Sequence, residues 1–428
     1  MMKGRLFTLS AGRGWFVVVL AAVLVTIALS LLFGTVEAAQ RNFYDEGVYR
    51  TLTRNLLDHG FYGYAEGELV AYRAPGYPFF NAGIRMVNDS YLSIRIAQAL
   101  LAGGIVLVTA LFTRRLARPG AAAAAAVALT LVGAVAAYSS VELTETLATF
   151  TFASALLLAC VAWQHNKLLL AGVAGLVLGI SILTRPQALL AIPVVAVFFI
   201  VMLPGRQGRF MAAAFLGVVV LVLAPWTVRN YVRLDAFVPV STEGGVNFWL
   251  ANNPDTTGRF QEIDEVNPEL YSRISMLDEV AQDREWIRLG FQYIFENPVD
   301  ALGNWLRNSV VFLGSRDPWV HQQSNVRGVR MPFLDDRALL PLVAIGLVMQ
   351  WRSRNGRARF ETLLPLFVIA YTVGFFMITI PHARFRHEML PFVAFYAGIG
   401  AVGLFGLAQR ALARRRSNTT VPQPHKLQ

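Results

Sequence analysis

Two kinds of chemistry recur near the ends of the apolar runs in this sequence. Carboxylates sit where they could accept a proton, and arginines sit where they could hold a phosphate. Asp45 and Glu46 follow Arg41-Asn42-Phe43-Tyr44. A carboxylate within hydrogen-bond reach of a hydroxyl can take its proton, and a hydroxyl is otherwise a poor nucleophile. The same pair can simply suit the positive end of a helix. The local sequence leaves both readings open. Tyr49, Leu52, Leu56 and Leu57 then recur on one helical face, with Arg50 and Arg54 turned away. That pattern predicts a short helix lying on a membrane surface. Glu142 and Glu145 form a second acidic pair, three apart, which places both on one face of the helix they open. Ionisable groups entering a membrane span usually face a cavity, unless both lie outside the hydrocarbon and cap the helix.

The arginines are Arg185, in Leu183-Thr184-Arg185-Pro186, and Arg384 and Arg386, in Pro381-His382-Ala383-Arg384-Phe385-Arg386-His387-Glu388. A guanidinium clamps a phosphate by two parallel hydrogen bonds. It can equally reach toward lipid head groups. The histidines of that segment suit metal binding or proton transfer, or an ordinary interfacial place. Tyr72, Arg73 and Tyr77 lie in Tyr72-Arg73-Ala74-Pro75-Gly76-Tyr77-Pro78. Its prolines and glycine force an irregular backbone, tolerated at membrane depth only against protein or a water-filled cavity. Asn230 closes Pro225-Trp226-Thr227-Val228-Arg229-Asn230. Asn247, Trp249 and Asn252 lie in the Gly244–Pro254 stretch GGVNFWLANNP. Amides and an aromatic face suit a sugar, and they also suit a turn.

Composition decides what kind of protein carries these groups. The 428 residues are 55% hydrophobic and 15% charged, with a mean hydropathy of +0.48. Soluble proteins carry roughly 25% charged residues. A soluble globular enzyme, a disordered chain and a coiled coil are excluded, and an all-α polytopic membrane protein is expected. Runs long enough to cross a bilayer occur at 15–36, 91–113, 119–138, 143–163, 168–184, 187–203, 210–228, 338–351, 361–380 and 390–408. That is about ten, and 302–314 is either an eleventh crossing or a surface helix. The run Ala121–Ala126 reads as tight helix packing by small residues.

Short basic segments alternate with the rest. They hold Lys3, Arg5 and Arg13; Arg114, Arg115 and Arg118; Lys167; Arg206 and Arg209; Arg352 to Arg359; and Arg410 to Arg416. Such segments stay in the cytoplasm, so a multi-pass protein of the cell (inner or plasma) membrane with both termini cytoplasmic is expected. The loops 37–90 and 229–336 then face outward. The second holds 16 acidic and 10 basic residues, a net −6, so the remainder is +17 within a total of +11. The basic excess reflects topology and contact with anionic lipid, and no nucleic-acid partner is expected. Val36-Glu37-Ala38 resembles a signal cleavage site, but the apolar run before it suits a retained span. The polar tail from Ser417 is expected to be disordered. A single cysteine, Cys160, allows neither an intramolecular disulfide nor a cysteine metal cluster. The chain carries neither G-x-x-x-x-G-K-[ST] nor G-x-G-x-x-G after a strand. An activated substrate used outside would most simply arrive attached to a membrane lipid.

Taken in order, these motifs resemble the membrane-embedded glycosyltransferases of the C-type fold. The likeness is to the protein O-mannosyltransferase-like and lipid A aminoarabinose transferase-like branch, over residues 15–408. The resemblance implies a transmembrane glycosyltransferase domain over 1–408 and a basic tail over 409–428. It implies transfer of a sugar from a polyprenyl-phosphate carrier on the outer face, usually with inversion. Asp45, with Glu46 beside it, matches the family's acidic residue after the first span and would be the general base or an acceptor-orienting carboxylate. Arg185, Arg384 and Arg386 would then stabilise the leaving phosphate. Tyr72, Arg73, Tyr77, Asn230, Asn247, Trp249 and Asn252 would bind substrate, with Glu142 and Glu145 as further carboxylates. Some members use a divalent metal, and no ligand set here is diagnostic of one.

Protein mannosyltransferases usually carry a larger external domain late in the chain than 229–336. That loop reads as helical, with Leu277, Val280, Ala281, Trp286, Ile287, Leu289 and Ile294 spaced for partial packing. Glycan, lipid and protein acceptors all stay open. A transporter or flippase of a lipid-linked or anionic solute is the alternative. The gathering of ionisable residues at outer boundaries disfavours it. A non-enzymatic assembly partner is a third reading.

Overall fold

The computed structural model describes residues 14–33, 44–65, 70–259, 261–317, 320, 325–326, 329–330, 333–353 and 357–418. Each of the ten predicted spans coincides with helix. These are α1 (Gly14–Phe33), α4 (Tyr91–Leu116), α5 (Pro119–Val132), α7 (Glu145–His165), α8 (Leu168–Thr184), α9 (Ala191–Met202) and α10 (Arg206–Leu234). The later three are α16 (Leu340–Ser353), α17 (Arg357–Ile378) and α18 (Leu390–Asn418). Between them lie α2 (Tyr44–His59), α3 (Gly76–Val87), α6 (Ala134–Tyr138), α11 (Gly244–Ala251), α12 (Ile263–Val266), α13 (Pro268–Ile274), α14 (Glu279–Glu296) and α15 (Pro298–Gly314). The strands among the described residues are two antiparallel two-residue pieces, Asn325–Val326 and Val329–Arg330.

The molecule is an all-α integral membrane protein. Among the described residues, five apolar stretches are long enough to cross a membrane on length and composition: α1, α4, α7, α10 and Ala383–Ala413. Shorter apolar helices accompany them. Helix α15 is not of that kind. Its inner face carries Ala301, Asn304, Asn308 and Phe312, while Leu302, Leu306 and Val310 are exposed. The stretch 302–314 is therefore part of an amphipathic helix. The cleavage-site motif Val36-Glu37-Ala38 and the end of the tail, from Thr419, lie outside the described residues.

Small residues set the helix contacts. A Cβ on Gly346 would run into the carbonyl of Tyr396, and one on Gly400 into that of Leu342. Helices α16 and α18 therefore pack backbone to backbone. Gly398 meets the Ala121 carbonyl in the same way, and Ala121, Ala122, Ala123, Ala125 and Ala126 are buried. The polyalanine run thus packs as its composition predicts. Arg114 lies over the Trp15 ring, 4.3 Å from its centroid, which brings the start of α1 level with the end of α4.

The third predicted span is not continuous. Gly133 takes a left-handed φ of 73° between α5 and α6, and residues 139–144 form an irregular segment, all of it buried. Buried irregular backbone needs partners for its polar groups. Gln98 Nε2 donates to the Val141 carbonyl at 2.7 Å, and the Glu142 amide donates to Glu46 Oε1 at 3.4 Å. Helix α7 accordingly starts at Glu145 rather than at Glu142. This corrects the expectation that the two glutamates share a helical face.

Candidate active site

Helix α2 begins as predicted with Asp45 and Glu46 in its first turn. Neighbouring helix positions point about 100° apart, so the two carboxylates enter different networks. Asp45 Oδ1 accepts from Arg73 Nη2 at 2.7 Å, and its Oδ2 accepts from Arg384 Nη2 at 2.8 Å. Arg73 comes from the Pro-Gly segment before α3, and its other nitrogen bonds to Glu243, just before α11. Arg384 Nε lies 2.9 Å from Glu145 Oε1, at the first residue of α7. Arg185, which caps the end of α8, lies 3.2 Å from the same Glu145 oxygen and 2.9 Å from Glu388 Oε1. Gln187 Nε2 donates to Glu388 at 3.0 Å. Phe385 lies beneath both guanidiniums, 4.9 Å from Arg185 and 5.1 Å from Arg384.

The result is one run of alternating charge: Glu243, Arg73, Asp45, Arg384, Glu145, Arg185, Glu388. Each arginine in it is shared between two carboxylates. The Glu145 side chain is only 1% exposed. Neither of its oxygens accepts an aligned hydrogen bond among the described residues, nor do Arg384 Nε and Arg185 Nη1 donate one. Their attraction is electrostatic, with hydrogen-bonding capacity left over. Burial pushes the Asp45 carboxyl up. The charges of Arg384 and Arg73 more than offset this and hold it below the ordinary carboxylate value.

Glu46 and Glu142 belong to a second cluster. Arg50 Nη2 lies 3.3 Å from Glu46 and 3.2 Å from Glu142. Arg85 Nη2 and Asn81 Nδ2 also donate to Glu142, at 3.3 and 3.2 Å. Glu142 is fully buried, and this cluster clamps residues 139–144 onto α2 and α3.

Arg386 stands apart from Arg384. It pairs with Asp336 at 2.7 Å and donates to the Phe312 and Ser315 carbonyls. Both arginines lie in the 3₁₀ turn Ala383–Met389. At three residues per turn, positions two apart do not share a face.

Most of the other residues read from sequence lie outside this run of charge. Tyr77 is buried and donates to Gln98. Asn230 donates to the Val238 carbonyl. Trp249 packs on Trp286 at 4.9 Å. Asn252 donates to the Ile378 carbonyl and accepts from Trp305. Asn247 is half-buried on α11. Tyr72 remains at the centre, 5.3 Å beneath the Arg73 guanidinium. Glu243 and Gln187 join the centre without a motif of their own in the sequence, and Glu388 joins it from the end of the Pro381–Glu388 segment.

A cavity of about 730 Å³ opens beside His382 and Ala383, lined also by Arg259, Arg316, Val310 and Val311. His382 Nδ1 accepts from the Arg384 amide at 3.1 Å. Among the described residues, no three His, Cys, Asp or Glu side chains converge as metal ligands. Both Asp45 oxygens already face guanidiniums, a setting that does not suit a divalent cation.

The crystal structure of the Archaeoglobus fulgidus oligosaccharyltransferase in its apo form aligns with this architecture at a TM-score of 0.57 and 13% identity. The alignment covers 96% of this chain and 53% of that one. This is the C-type glycosyltransferase fold. The archaeal oligosaccharyltransferase AglB from Archaeoglobus fulgidus, in complex with an inhibitory peptide and a dolichol-phosphate, shares the C-type fold at a TM-score of 0.53 and 16% identity, over 96% of this chain and 52% of that one. The chain thus spans about half the length of these C-type relatives. ArnT from Cupriavidus metallidurans bound to undecaprenyl phosphate aligns more loosely, at a TM-score of 0.42 and 17% identity, over 96% of this chain and 82% of that one. Residues 72–228 match the family model described as dolichyl-phosphate-mannose-protein mannosyltransferase. No curated protein matches the chain.

Proposed function

We propose that this protein is a membrane glycosyltransferase that moves a sugar from a polyprenyl-phosphate carrier to an acceptor hydroxyl, with inversion, on the outer membrane face. The carrying observation is Asp45 held between Arg73 and Arg384, with Arg384 joined in turn to Glu145 and Arg185. The matching family model and the dolichol-phosphate held by the archaeal relative support a lipid-phosphate donor. The outward orientation is supported by the basic segments at the opposite ends of α4, α7 and α18. Both termini are then cytoplasmic.

The donor phosphate sits against Arg384 and Arg185; Arg384 Nε and Arg185 Nη1 donate no aligned hydrogen bond among the described residues. Fixed cations aimed at a leaving phosphate stabilise charge that grows in the transition state. As the phosphate draws Arg384 away, Asp45 keeps Arg73 and gains a free oxygen. The acceptor O–H gives its proton to that oxygen as its own oxygen bonds to the anomeric carbon. The bond from that carbon to the phosphate oxygen breaks with its electron pair, releasing polyprenyl monophosphate. Attack opposite the leaving group inverts the centre. Glu46 holds α2 against residues 139–144, and Arg386 anchors the turn that carries Arg384.

The test uses purified protein in lipid, a panel of radiolabelled polyprenyl-phosphate sugars and an envelope acceptor fraction. Label moving from one donor to the acceptor is the expected result. Labelled lipid crossing sealed vesicles without transfer would replace this reading with a flippase.

A further inference from the structure

A second large groove lies in the external helices, away from the arginine centre. It measures about 810 Å³ and is walled by α11, α13, α14 and α15. Its character is opposite to that of the cavity beside His382. There, Arg259, Arg316 and His382 meet Val310 and Val311. Here the lining carries the amides of Gln292 and Asn304 and the phenol of Tyr293. Its charges are Asp255, Glu296 and Asp300 against Arg307 alone.

The walls are fixed before any ligand arrives. Asn304 Nδ2 donates to the Tyr293 hydroxyl at 3.1 Å, across α14 and α15. Arg307 Nη1 donates to the Thr256 carbonyl at 2.8 Å, and Trp305 Nε1 to Asn252 Oδ1 at 2.7 Å. The groove is also tied to the Asp45 centre. Helix α11 starts directly after Glu243, the partner of Arg73, and its far end supplies Trp249 to the groove. Eight helical residues at about 1.5 Å each span roughly 12 Å, the reach of a chain of a few hexose units.

We infer that this groove binds a neutral glycan chain and presents one of its hydroxyls toward Asp45. The inference rests on the transfer reading for the word acceptor, and on the groove alone for the word glycan. Fixed amides, a phenol and carboxylates match a dense array of hydroxyls, which both donate and accept. The acidic balance repels a phosphorylated or uronate chain. An extended peptide would want a free strand edge, which α11, α13, α14 and α15 do not offer, and the apolar lining of Trp249, Leu270, Leu289 and Val299 suits the apolar faces of sugar rings.

Gly303 gives the test its variant. It lines the groove on α15, and a Cβ there meets nothing within 4 Å. Gly303→Trp therefore brings an indole into the groove from a position whose Cβ meets no wall atom. The full-length protein in lipid nanodiscs would be titrated, without donor, with neutral gluco- and manno-oligosaccharides, a polyuronate and an unglycosylated peptide. The neutral chains are expected to bind best, and Gly303→Trp to weaken them at least tenfold while leaving polyprenyl monophosphate binding unchanged. Stronger binding of the polyuronate or the peptide would overturn the inference, as would no neutral binding, or equal binding by Gly303→Trp. Because no donor is present, glycan binding can hold while the transfer reading fails, and the reverse.

Discussion

Asp45 and Arg384 lie 339 positions apart and meet at 2.8 Å. That contact joins the first turn after the first span to the turn before the last one. Two residues further on, Arg386 reaches Asp336 and two backbone carbonyls instead. Lysine at either position keeps the charge but loses the planar fork. Arg384→Lys is expected to lower transfer roughly 10²-fold, within the range for a lost transition-state donor, with little change in melting temperature. Arg386→Lys is expected to lower the melting temperature and leave the rate per folded molecule near wild type. Transfer rates normalised to folded protein, with thermal unfolding beside them, separate the two. The reverse pattern would exchange their roles.

Glu142 makes a different demand. Its fully buried carboxylate faces Arg50, Arg85 and Asn81, and the Arg85 side chain is itself only 5% exposed. Breaking a buried pair from one side costs about 3–5 kcal/mol. Glu142→Gln is expected to destabilise the protein on that scale, measured by thermal unfolding in lipid. An unchanged melting temperature would refute the clamp.

The acidic limb of the pH dependence follows from Asp45. Its folded pKa is lowered from the ordinary 3.8. The stability of its arginine pairs is therefore present above 3.8 and lost as pH falls through the lower folded value. Transfer is expected to stay independent of Asp45 protonation down to the ordinary carboxylate range. His382 acts in the same direction, at higher pH. Burial, and then the Arg384 charge, push it down from 6.5 to about 4. The unfolded chain takes up that proton first, so stability is expected to decline between pH 6.5 and about 4 and then level off. His382→Gln should flatten that decline in a pH series of unfolding temperatures. A slope that persists in the variant would assign it to another group.

The helices were legible because each apolar run is long and lipid asks only for length and hydropathy. The break at Gly133 was not. Nothing in Ala134-Val135-Ala136-Ala137-Tyr138 interrupts the apolar pattern, and the left-handed turn shows only in the backbone. Asp45, Arg73, Arg185, Arg384 and Glu145 all stood out by type and place. Which of them face one another depends on where each helix begins and on the angle between neighbours. That geometry sends Glu46 and Glu142 to one cluster and Asp45 and Glu145 to another. The Gly244–Pro254 segment suited a sugar surface or a turn; Trp249 packs on Trp286 and also lines the groove, and Asn252 ties the segment to Ile378 at the end of α17. The groove beyond them needs α14 and α15, whose contribution carries no motif.

The central claim is that Asp45 takes the acceptor's proton while Glu46, one residue on, holds structure. Asp45→Asn and Glu46→Gln, compared in the same labelled-donor transfer assay with donor binding measured beside it, test this most directly. Asp45→Asn is expected to bind donor and lose transfer by about 10²–10⁴-fold, the usual worth of a general base. Glu46→Gln is expected to lose stability and keep most of its rate per folded molecule. Transfer retained by Asp45→Asn, or abolished by Glu46→Gln in protein that remains folded, would contradict the account.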